Sequence, residues 1–121
     1  MATVRYIVHD VEAAVPFYRD GLGFEVKQNF GPNMAILSKG DLTLWTAGPG
    51  ASASRPMPDG AQPAPGGWNR FVFQVDDLDA SIAALRAGGA KFRNEIVVGP
   101  GGRQILVEDP SGNVIELFQA G

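Results

Sequence analysis

One stretch of this chain occurs twice, and the repetition limits the fold more than any other feature. Val8-His9-Asp10-Val11-Glu12-Ala13-Ala14 returns as Val75-Asp76-Asp77-Leu78-Asp79-Ala80-Ser81, 67 residues later. The same offset carries Val15 onto Ile82, Arg19 onto Arg86 and Gly21 onto Gly88. In a chain of 121 residues, that leaves room for one supersecondary unit used twice within a single domain over 1–121, and none for two independent domains.

Each copy reads the same way. Residues 3–8 and 70–75 have the β-branched and aromatic content of short strands. Asp10 and Asp77 then stand where a helix N-cap belongs, with carboxylates suited to accept from free backbone N–H groups. Val11, Ala14, Val15 and Tyr18 form an apolar helical stripe, as do Leu78, Ile82 and Leu85. Gly21 and Gly88 are expected to end the helices in left-handed conformation, and Pro16 to kink the first helix or mark an irregular start. Three strands are expected after each helix: 24–30, 35–39 and 42–46, then 91–98, 103–108 and 114–118. Gly40-Asp41 is a two-residue hairpin signal. The pattern is βαβββ twice, an α+β architecture with units at about 3–46 and 70–118.

Between the units lies a segment, 47–69, that holds ten of the chain's 16 glycines and 9 prolines. A connection this long is a linker, a lid over a pocket or a crossing to a partner subunit. The remaining composition removes whole classes of function. A net charge of −3 offers no basic field for a nucleic-acid backbone or an anionic membrane. Apolar runs are far too short to span a bilayer, and no signal peptide is visible, so a cytoplasmic protein is expected. There is no cysteine and a single histidine, His9, which excludes disulfides, thiolate metal sites, cysteine nucleophiles and multi-histidine zinc sites. Beside the capping Asp10, His9 reads as a solvated turn residue. Gly99-Pro100-Gly101-Gly102 lacks the following helix and lysine of a phosphate loop.

The two βαβββ units resemble the vicinal oxygen chelate superfamily, which contains glyoxalase I, extradiol dioxygenases and bleomycin-resistance proteins. The resemblance rests on Phe17-Tyr18-Arg19-Asp20-Gly21-Leu22-Gly23-Phe24, on Val75-Asp76-Asp77-Leu78 and on Asp109-Pro110-Ser111-Gly112-Asn113 followed by Glu116-Leu117. It implies that each unit curls into an incomplete barrel around a substrate cavity, and that two chains pair as a homodimer. Metal-using members place ligands at positions that here are Thr3, Arg70, either Leu44 or Trp45, and Glu116. Only Glu116 is a ligand type, whereas a divalent cation needs several oxygen or nitrogen donors. No metal, no other cofactor and no catalytic residue is therefore expected.

Strand parity sorts the remaining side chains. Val4, Tyr6, Val8, Phe71, Phe73 and Val75 suit packing beneath the helices. The alternate set, Thr3, Arg5, Ile7, Arg70, Val72 and Gln74, faces the implied cavity together with Val114, Glu116 and Phe118. Arg70 and Glu116 are expected to form a charge-assisted pair in place of the metal. Trp45 and Trp68 flank the implied cavity with flat rings, and Met57 in the long loop supplies an adaptable wall. The expected ligand-binding set is thus Arg5, Trp45, Met57, Trp68, Arg70, Val72, Gln74, Glu116 and Phe118. The leading expectation is a metal-free protein that sequesters a hydrophobic or aromatic antibiotic or natural product. The alternatives are a divergent lyase, isomerase or oxidoreductase using Glu116, and an interaction module without a small ligand.

Overall fold

The first strand of each half pairs in parallel with the last strand of the same half. The computed structural model, which describes residues 2–121, divides into two units between Gly66 and Gly67. The first contains β1 (Ala2–Ile7), α1 (Val11–Pro16), β2 (Glu25–Asn29), β3 (Met34–Lys39) and β4 (Leu42–Ala47), in the sheet order β1-β4-β3-β2. The second contains β5 (Arg70–Gln74), α2 (Leu78–Ala87), β6 (Lys91–Phe92), β7 (Val97–Gly99), β8 (Gly102–Glu108) and β9 (Val114–Ala120). Its order is β5-β9-β8-β6, with β7 also on β8. Both sheets keep free edges, so among the described residues neither closes into a barrel. The architecture is the expected α+β pair of βαβββ units.

Local chemistry explains the helix starts. The Glu12 N–H donates to Asp10 Oδ1 at 2.9 Å, and the Ala80 N–H donates to Asp77 Oδ1 at 3.0 Å. Each satisfies a donor that the first helical turn leaves without a partner. The helix ends differ from expectation. α1 stops at Pro16 and continues from Phe17 to Gly21 as a wider π-turn, because the proline has no N–H to continue the ladder. Its left-handed residue is Gly23 (φ 77°), not Gly21. In α2 it is Gly89 (φ 89°), not Gly88. Gly89 N–H donates to the Arg86 carbonyl and Ala90 N–H to the Leu85 carbonyl, both at 3.0 Å, the paired bonds of a Schellman cap.

The expected strand 91–98 is also corrected: it is two short strands. At the break, Asn94 Oδ1 accepts from the Leu106 N–H at 3.0 Å, so a side chain takes the place of the backbone ladder. The cores follow the predicted stripes. Val11, Ala14, Val15 and Tyr18 are buried in the first unit together with Ala35, Leu37 and Leu44. Leu78, Ile82 and Leu85 are buried in the second with Ile105, Val107, Ile115 and Leu117. Each valine, leucine or isoleucine among them contributes about 1.5–3 kcal/mol by leaving water. Tyr18 meets Phe17 and Phe24 edge-on, with ring centroids 5.0 and 5.7 Å away. Among the described residues no helix is long and apolar enough to cross a membrane.

Candidate functional site

Sheet register determines which side chains share the faces turned away from the helices. Thr3, Arg5 and Ile7 lie beside Thr43, Trp45 and Ala47. Arg70, Val72 and Gln74 lie beside Val114, Glu116 and Phe118. The register also chooses between Leu44 and Trp45. Leu44 is fully buried on the helix side, whereas Trp45 shares the face of Arg5.

In the second unit Arg70 crosses diagonally to Glu116. Its Nε and Nη2 donate to Glu116 Oε1 at 3.1 and 2.9 Å, and its Nη1 donates to the Trp68 carbonyl at 3.3 Å. Glu116 is 8% exposed, so an unpaired charge there would be expensive, and the guanidinium supplies the counter-charge. Both bonds fall on one carboxylate oxygen, which leaves Oε2 as an acceptor facing the same side of the sheet as Val72. Val72 itself is 52% exposed. Gln74 and Phe118 pair beside each other one step further along the strands.

Trp68 is 68% exposed and lies under the guanidinium of Arg93, 4.6 Å from the ring centroid. Arg93 also donates to Glu108 Oε2 at 2.8 Å, to the Gly67 carbonyl at 2.7 Å and to the Gly112 carbonyl at 2.9 Å. It ties the entry to β5, the turn before β9 and the end of β8 into one network. The sequence gives no local sign of this role, since its partners are a distant carboxylate and two backbone carbonyls.

In the first unit Arg5 stacks over Trp45 with 4.8 Å between guanidinium carbon and ring centroid. Beside them is a cavity of about 340 Å³ lined by Arg5, Phe30, Asn33, Met34, Ala47 and residues 50–53. Its wall is held by tight packing at the start of the long loop. Gly48 N–H donates to the Asn33 carbonyl at 2.8 Å, and Ser54 Oγ donates to the Gly48 carbonyl at 2.7 Å. A Cβ on Gly48 would lie 2.2 Å from the Pro32 carbonyl oxygen, and one on Gly50 2.4 Å from Asn33 Oδ1. At Gly48 the obstruction is backbone, so only glycine lets the loop seat there, whereas at Gly50 it is the end of the Asn33 side chain. Asn33 and Gly50 were not singled out in the sequence; Gly48-Pro49-Gly50 was a usable signal for a tightly seated turn. Met57 lies outside this lining, in its own turn, where its N–H donates to the Ala61 carbonyl at 2.7 Å.

The ligand positions implied for a metal do not fit one. Thr3, Trp45, Arg70 and Glu116 provide one carboxylate, and its Oε1 already accepts twice from a cation. Indole supplies no donor to a hard cation and guanidinium repels it. Among the described residues, no three His, Cys, Asp or Glu side chains gather as a metal site.

Comparison with known proteins places these geometries among relatives. A family model described as the Glyoxalase/Bleomycin resistance protein/Dioxygenase superfamily matches residues 1–117. The chain is 32% identical over 114 residues to CFP32 of Mycobacterium tuberculosis, a protein designated a glyoxylase; the match takes in 92% of this chain and only 42% of that relative. TnmS3, an antibiotic binding protein from Streptomyces sp. CB03234, is 28% identical, with a TM-score of 0.72 and coverage of 98% of this chain and 93% of that one. A superfamily member from Sphaerobacter thermophilus is 26% identical, with a TM-score of 0.76 and coverage of 98% and 95%.

Proposed function

Because the chain belongs to the glyoxalase/bleomycin resistance protein/dioxygenase superfamily, we propose that it is a metal-free member that binds a hydrophobic, aromatic small molecule. The ligand class is an antibiotic or related natural product, held without being transformed, in the cytoplasm and by a homodimer. One observation carries the reading: the Arg70 guanidinium sits 2.9 Å from the one family ligand position that keeps a carboxylate, Glu116. A cation at that carboxylate would have to displace a guanidinium already bonded there, at the expense of a charge-assisted pair in a mostly buried setting.

What remains suits binding. Trp45 and Trp68 are each stacked against an arginine, which presents flat, ordered surface of the kind that holds planar ligands. The apolar Phe30, Met34 and Ala47 line a cavity in the lower part of the size range of small-molecule sites. The likeness to the antibiotic binding protein TnmS3 supports the same ligand class.

Titration of intrinsic tryptophan fluorescence with uncharged polycyclic aromatic antibiotics, coupled to recovery of the ligand and metal analysis of the purified protein, tests the proposal. Saturable quenching with the compound returned unchanged and no stoichiometric metal is the expected result. Conversion of the compound, or one tightly held metal per chain, overturns it. Light scattering of the eluting peak checks the homodimer.

A further inference from the structure

The cavity of the first unit has an unusual charge balance for a protein whose net charge is −3. Its lining includes one cation, Arg5, the neutral polar side chains of Asn33 and Ser52, and no carboxylate. Arg5 is stacked by its face on Trp45, and among the described residues it has neither an ion pair nor a side-chain hydrogen bond. Stacking uses the plane of the guanidinium and leaves its edge, where all five N–H donors point, free to bond. The rest of the wall is apolar: Phe30, Met34 and Ala47. Gly48 packs closely against the Pro32 carbonyl beside that wall.

We propose that this cavity selects an aromatic carboxylate: the ring lies against Phe30 and Met34, and the carboxylate meets the edge of Arg5 with Ser52 as a second donor. The proposal deepens the binding reading above and rests on it, by naming the charge that the aromatic ligand carries. A planar fork of N–H groups pre-positioned by an indole matches a carboxylate in two parallel hydrogen bonds. An uncharged ligand would leave the same cation without a partner in its bound state.

Matched probes test this: 2-naphthoate and 2-naphthamide, titrated by calorimetry at pH 7.5 into the wild-type protein and into Arg5→Gln and Arg5→Lys variants shown by circular dichroism to be folded. The acid is expected to bind the wild type about 10-fold more tightly than the amide, as one charge-assisted contact of ordinary strength provides. Arg5→Gln removes that preference by weakening the acid about 10-fold while changing the amide by no more than about 2-fold, and Arg5→Lys retains only part of it, since a point charge lacks the fork. Equal affinity for acid and amide, or a preference that survives Arg5→Gln, overturns the proposal. If uncharged aromatics bind and the acid has no advantage, the inference fails and the binding function stands. If the acid is preferred but is chemically converted, the function fails and the charge selectivity stands. If no aromatic probe binds, both fall.

Discussion

The two βαβββ units use their first-strand and helix-end arginines in opposite ways. In the first, the strand residue Arg5 stacks on Trp45 and the helix-end residue Arg19 pairs with Asp20 at 2.9 Å. In the second, the strand residue Arg70 pairs with Glu116 at 2.9 Å, and Arg86, the repeat of Arg19, stacks on Phe92 with its guanidinium carbon 5.0 Å from the ring centroid. The registers make the contrast sharper, because Arg5 stands opposite Trp45 where the second unit has Val72 opposite Glu116. One duplicated scaffold thus carries a self-neutralised sheet face in one copy and an open cation in the other. Duplication fixes the backbone positions and leaves the electrostatics of each copy free to diverge.

Three substitutions test how real that contrast is. The largest effect belongs to Arg70→Ala, which leaves the Glu116 charge buried and unpaired. Because Arg70 is itself partly exposed, the loss in urea denaturation is set somewhat below that of a fully buried pair, at about 2–4 kcal/mol. The double change Arg70→Met with Glu116→Leu is expected to recover most of it, and a double variant as unstable as the single one would show that the pair is not what is being measured. Arg5→Gln is next: losing an exposed cation–π contact costs about 0.5–1 kcal/mol. A loss as large as that of Arg70→Ala would mean that Arg5 has a structural duty like that of Arg70 and is not an open cation.

Asp20→Asn is expected to do least. Hydrogen bonds from the Arg19 side chain hold the Asp20 carboxyl below the ordinary carboxylate range. A lowered value means that any stabilisation is fully present above that range and disappears as pH falls through the lowered value. The pair is exposed to water, which screens it. Melting temperatures of wild type and variant should be nearly equal at pH 7 and converge fully in acid. A gap that widens in acid would reverse the sign of this argument.

The fold was legible because its signals are local and occur twice. Asp10 and Asp77 cap within three residues, and the apolar stripes on both helices mark what is buried. Where the structure departs from the sequence expectation, the cause is the detailed geometry of a helix end or a contact between separate strands. Gly23 and Gly89, not Gly21 and Gly88, turn left-handed, because the π-turn after Pro16 and the paired bonds from Gly89 and Ala90 move each helix end onward. The strand expected at 91–98 breaks because Asn94 finds Leu106. The pairing of Arg70 with Glu116 was expected from the resemblance, since both positions are fixed by it. Arg93 and Asn33 left no such mark: one gathers carbonyls from two turns, and the other fills space that Gly50 vacates.

The parallel pairing of first and last strands has a kinetic meaning. Ala2 lies opposite Leu42, and Arg70 opposite Val114, so neither sheet can be completed until almost all of its unit is present. The hairpins β3–β4 and β8–β9 are contiguous and can form early, while β1 and β5 must wait as unpaired, half-apolar strands for their partners. Closing such long segments is an entropic barrier that local contacts cannot offset in advance. Each sheet is therefore completed only when its opening strand pairs, and the two waiting strands are where a nascent chain is most exposed to pairing with the wrong neighbour.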